Sequence, residues 1–241
     1  MEYNQQPQNT YGGQARTAEA TGVFMAKVYR WMTLGLALTA FVAYMISLDK
    51  ALVETIYLNR VLYWGLIIAE FGLVIYLSAR IQKMSAMTAI TAFLVYSALS
   101  GVTFSVLSLI YTGASIQNTF ITAATSFAGL SFFGYVTKRD LGPLGTFCHM
   151  GLYGIIGIAI LSIFFPSMMG GTMGLVYSGA GVLIFAGLTA YDTQKIKEMA
   201  HAYPQGTEGE QKVVIMGALK LYLDFINLFL FLLRFMGRGR D

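Results

Sequence analysis

The chain has 241 residues, of which 56% are hydrophobic and 12% charged, with a formal net charge of +4 and a mean hydropathy of +0.61. An average soluble domain carries about 25% charged residues, so a water-facing globule of this composition would expose far too much apolar surface, and the expected solvent is lipid. The same figures exclude a disordered chain and a nucleic-acid binder acting through net charge, while the lone Cys148 excludes an internal disulfide.

Residues 1–22 are rich in Gln, Asn and Gly and carry Glu2 and Glu19. They lack the basic start and small-residue cleavage site of a signal peptide, and the expectation is a disordered polar tail followed by one membrane domain over residues 23–241. Gaps between charges then mark the spans. Trp31–Leu48 holds 18 uncharged residues, and Val61–Ala79 holds 19 interrupted by Glu70. Met84–Thr137 holds 54, Leu141–Tyr191 holds 51, and Val213–Leu233 is 21 residues containing Lys220 and Asp224. A spanning helix needs about 20 residues. The two long runs must therefore fold back, with turns expected at Gly113–Asn118 and Pro166–Gly171. The prediction is an all-α membrane protein of seven transmembrane helices. β-Barrel alternation is absent.

Lys and Arg counts orient the bundle. With the N-terminus in the cytoplasm, ten basic residues lie inside (among them Lys27, Arg80, Lys138, Lys195 and Lys212) against five outside. The basic C-terminus, Arg234 to Arg240, runs against this bias. Small residues recur at Ser97, Gly101 and Ser105 and at Gly151, Gly154 and Gly157, spacings that let helix backbones approach in lipid.

Charge within a span is costly, by about 2.5–3.5 kcal/mol at the helix centre on insertion scales, and so calls for a partner or a role. On the last helix Gly217, Lys220, Asp224, Asn227 and Arg234 form one polar stripe. Such a stripe faces protein or a water-filled cavity, which puts the last helix at the centre of the bundle. Two readings stand for Asp224: an intrahelical pair with Lys220 one turn away, or a functional carboxylate. Asp192 reads equally as a solvated helix-end carboxylate or as part of a site. Arg80 reads as an interfacial anchor or as a partner for Asp192, with which it shares a membrane side. Glu70 has no assigned role. Around His149 there is no zinc spacing, and the chain has neither a phosphate-binding loop nor a serine elbow. The expectation is no enzyme and no cofactor.

The segments Gly187-Leu-Thr-Ala-Tyr-Asp-Thr-Gln-Lys-Ile-Lys197 and Gly217-Ala-Leu-Lys-Leu-Tyr-Leu-Asp-Phe-Ile-Asn-Leu-Phe229, with Leu233-Arg234 and Thr137-Lys-Arg-Asp140, resemble the Bax inhibitor family, the transmembrane Bax inhibitor motif proteins. The likeness is to the bacterial inner-membrane branch and runs from about Met25 to the C-terminus. It implies a seven-helix fold with the last helix surrounded by the other six. It also implies a pH-sensitive calcium leak governed by two aspartates, here Asp192 and Asp224, with Arg80 as the gate partner. Calcium is then the permeant ion, bound transiently by the two acids. Physical chemistry agrees: close carboxylates in a low-dielectric site share protons, and ionised ones are oxygen ligands suited to calcium. Their carboxylates are expected within hydrogen-bond or single-water distance. One alternative, drawn from other relatives, is a modulator of a membrane-bound protease without transport. Another is an intramembrane aspartyl protease, although Leu221-Tyr222-Leu223 precedes Asp224 where that site uses Gly-x-Gly.

Overall fold

The computed structural model describes residues 10–165 and 170–239, with side chains from residue 18 onward. Its elements are α1 (Thr10–Ser47), α2 (Lys50–Leu58), α3 (Arg60–Arg80), α4 (Ala86–Phe104), α5 (Leu107–Ile110), α6 (Gly113–Val136), α7 (Gly142–Phe164), α8 (Gly171–Glu198) and α9 (Glu208–Met236). Among the described residues there is no strand, and seven helical segments are long and apolar enough to cross a membrane. These are α1, α3, α4 continued through α5, α6, α7, α8 and α9.

Polar residues ahead of each apolar run set the helix starts. Asp49, Asn59, Ser85, Thr112 and Thr207 each cap a helix, their side chains accepting from the backbone N–H three residues on. Pro143 stands in the first turn of α7, where its missing N–H costs nothing. The long uncharged run breaks at Tyr111–Thr112 rather than within Gly113–Asn118, because the Thr112 cap starts α6 there. Of the second expected turn, Pro166–Met169 lie outside the described residues, while Gly171 takes a φ of +54° that favours glycine. Helix α1 begins at Thr10, inside the segment expected as a tail, and Thr21 is buried with its hydroxyl 3.1 Å from His201 Nε2.

Helix α9 is the core. Its principal neighbours are α1, α4, α6 and α8, with α3 stacked outside α4 and α7 outside α8. It buries residues on every side, whereas α3 buries only Leu77. Of the seven spans α9 is the one most completely enclosed, as its polar stripe implies. Tyr222 is fully buried at its middle, edge-on to Phe93 at 5.8 Å and Tyr96 at 5.6 Å. The small-residue spacing works on one face and not the other. A Cβ on Gly101 would sit 2.7 Å from the Thr39 carbonyl, and one on Gly151 would meet Ile184, but Gly154 and Gly157 have open space beside them. Outward-facing apolar residues such as Val61, at 84% exposure, make the lipid-facing belt.

Candidate functional site

Asp192 lies six residues before the end of α8, and a short 3-10 turn, Met199–His201, extends that helix. The partner helix α9 starts at Glu208, earlier than the apolar run implies. This stagger lets side chains near the middle of α9 reach the α8 segment that carries Asp192. The turn between them is built locally: Gly206 takes a φ of +78°, and Thr207 caps α9. Glu210 Oε2 accepts from the Gly206 N–H at 2.6 Å. Glu210 Oε1 meets Lys27 Nζ at 2.7 Å, clamping the turn to α1. Glu208 accepts from Ala86 N–H at 3.1 Å, clamping it to α4.

Within this frame Lys220 Nζ donates to Asp192 Oδ1 at 2.8 Å. The pair is lopsided: the Asp192 side chain is 6% exposed and that of Lys220 42%. Asp224, one turn beyond Lys220, is 4% exposed, and its Oδ2 has no hydrogen-bond partner. Its electrostatic neighbours are Asp192 and Lys220. The two aspartates and the lysine thus influence one another electrostatically, with the ammonium seated on Asp192. No hydrogen bond joins the two carboxylates among the described residues. The intrahelical Lys220–Asp224 pair does not form, because the ammonium is directed across to α8.

Arg80 requires a correction. It stands at the same end of the bundle as Asp192, as the contacts of Gln82 with Tyr203 and Ala86 with Glu208 show, but it is exposed. Among the described residues it forms no ion pair. The physical reason is the position of α3, which packs on α4 at the periphery and not against α8. Lys220 holds the place expected for Arg80.

Asn227 donates to the Leu223 carbonyl at 2.8 Å, satisfying its own helix rather than the site. Arg234 lies over the Tyr177 ring, 5.3 Å from its centre. Glu70 accepts from Thr103 and, at 3.5 Å, from Ser100 of α4, a hydrogen-bonded carboxyl separate from the aspartates. Two hydroxyl clusters had no signal in the charge pattern. Thr39 Oγ1 lies 2.8 Å from the Ser97 carbonyl and 2.7 Å from the Tyr222 hydroxyl. Ser131 Oγ lies 2.6 Å from the Tyr29 hydroxyl and 2.9 Å from Thr193 Oγ1. Among the described residues no group of three His, Cys, Asp or Glu is placed to hold a metal. Any cation at the aspartates would complete its shell with water and backbone oxygens.

An apolar seven-span bundle with buried acids on and beside its central helix is an integral membrane protein of the kind that carries an intramembrane polar site. The family model "Inhibitor of apoptosis-promoting Bax1" matches residues 21–241, and the chain belongs to the Bax inhibitor family. It is 47% identical over 218 residues to the Escherichia coli K12 protein named "Inner membrane protein YbhL", covering 90% of this chain and 92% of that one. A protein of Borreliella burgdorferi is 43% identical over 218 residues, covering 90% and 93%. One of Deinococcus radiodurans is 40% identical over 228 residues, covering 95% of each.

Proposed function

We propose that the protein is a pH-sensitive calcium leak of the bacterial inner membrane, with a cytoplasmic N-terminus and with Asp192 and Asp224 as cation station and protonation sensor. The observation that carries this reading is the orphaned Asp224 Oδ2, buried near the middle of the central helix beside a second carboxylate. An ionisable side chain at that depth is costly and is a functional group by default. Anionic oxygens attract a hard divalent cation, and protonating either acid removes that attraction. The inner-membrane location follows the name of the Escherichia coli relative. The reading is not enzymatic and needs no cofactor.

The test is calcium uptake by liposomes carrying wild type, Asp192→Asn or Asp224→Asn at matched incorporation, at acidic, neutral and alkaline pH. Wild type is expected to pass calcium with a pH profile that flattens in both variants. Wild-type flux no greater than that of empty liposomes would defeat the reading and leave modulation of a membrane protease in its place.

A further inference from the structure

We propose that the Lys220 ammonium is a tethered counter-ion seated on Asp192 at the cation position that Asp192 and Asp224 would share, so that a divalent cation enters only by displacing it. The inference rests on the reading of those two acids as a cation station and adds the residue that sets which cations they accept. The ammonium is 2.8 Å from Asp192 Oδ1 and is also an electrostatic neighbour of Asp224, whose Oδ2 is buried without a partner. Three other ammoniums near this end are committed elsewhere. Lys27 pairs with Glu210 at 2.7 Å, Lys195 with Glu198 at 2.8 Å, and Lys197 donates to the Tyr135 carbonyl at 2.7 Å.

The asymmetry of the pair supplies the motion. Asp192 is enclosed, while the Lys220 side chain is 42% exposed on a flexible four-carbon stem. The lysine is therefore the half that leaves. An ammonium exposed to hydrocarbon is disfavoured, so a departing Lys220 head must reach water along its flexible stem. Charge then decides what replaces it. A monovalent ion offers the two carboxylates only the charge the lysine already supplies, and does so without a covalent tether. A divalent ion doubles that charge and gains from the exchange. The lysine thus discriminates against monovalent cations and sets a threshold for divalent ones.

The test uses the purified full chain in detergent and equilibrium binding of radioactive calcium to wild type, Lys220→Met, Lys220→Arg and the Asp192→Asn/Lys220→Met double variant. Lys220→Met is expected to bind calcium at least tenfold tighter than wild type, Lys220→Arg close to wild type, and the double variant to lose the gain. Folded Lys220→Met that binds calcium no tighter than wild type overturns the proposal. Because Lys220→Met leaves Asp192 buried without its ion partner and risks misfolding, a second measurement uses wild type alone. Acetylation of Lys220 by a water-soluble reagent, followed by mass spectrometry, is expected to speed up severalfold when calcium is added. An unchanged rate overturns the proposal as well. Liposome flux separates the two readings: a binding gain without any flux defeats the leak and leaves the counter-ion standing.

Discussion

Asp224 is held at a cost to the fold. Its Oδ2 is buried with no hydrogen-bond partner, and an unsatisfied buried polar group destabilises by about 1–3 kcal/mol, more when charged. Asp224→Asn removes the charge at nearly constant shape. The expected outcome is an unchanged or higher melting temperature in detergent together with an altered pH profile of flux, the pattern of a site kept for function. Thr39 gives the opposite case. Its hydroxyl bridges the Ser97 carbonyl and Tyr222 across α1, α4 and α9. Thr39→Val should cost about 0.6 kcal/mol, the average for an interhelical hydrogen bond in lipid, and at most about 1.7 kcal/mol, read as a lower melting temperature with the flux profile retained. These residues also show what the sequence could tell. Asp224 stood out because a charge in an apolar run is conspicuous, whereas Asp192, at the end of its run, was singled out by the family resemblance. Thr39, Ser131 and Thr193 did not, since hydroxyls are common in spans and only their partners reveal them. Lys220 was visible, but its direction was not: an i−4 spacing predicts Asp224, and the packing of α8 on α9 offers Asp192 instead.

At the scale of elements, the number of spans and the central place of the last helix were legible, and the exact helix starts and the layer order around it were not. Gaps between charges count the spans, whereas the polar caps at Thr112 and Thr207, which satisfy orphan N–H groups, start α6 and α9 earlier than the expected turn and the apolar run imply. Which arginine meets which aspartate depends on layer order, and α3 lies outside α4, beyond the reach of charge counting. Two contacts test this layering. Gly101→Leu would drive a side chain into the Thr39 carbonyl and Val42, prising α1 from α4. A loss of about 1–3 kcal/mol is expected from overpacking, read by thermal unfolding. Glu210→Ala removes both the Lys27 pair and the acceptor for Gly206 N–H. Faster amide exchange over residues 202–212 is expected, with α9 beyond Val214 unaffected.

At the scale of the whole molecule, the ends of the bundle differ in how they are fastened. One carries the Lys27–Glu210 and Glu208–Ala86 clamps, while at the other Tyr111 pairs antiparallel with Gly239 and Arg238 N–H donates to Ser115 Oγ at 2.8 Å. Single cysteines introduced at Lys83 and Glu198, after Cys148→Ala, should label with an impermeant reagent from the cytoplasmic face only. A cysteine at Glu54, in the α2 connection, should label from the periplasmic face only. Labelling of Lys83 or Glu198 positions from the periplasm would invert the topology.

The enclosed position of α9 has a consequence for how the protein is made. The ribosome delivers α9 last, yet α1, α4, α6 and α8 all depend on it for their inner contacts. Those four spans must therefore wait in the bilayer around an unfilled centre, with α3 and α7 outside them, and the bundle condenses only when α9 threads into it. Late delivery of the keystone leaves a window, unique to nascent chains, in which insertion chaperones or quality-control proteases meet polar faces that the mature protein never presents. A chain stopped at residue 207 would remain in that window permanently, and rapid turnover of such a truncation, measured by pulse-chase against the full chain, is the expected mark of it.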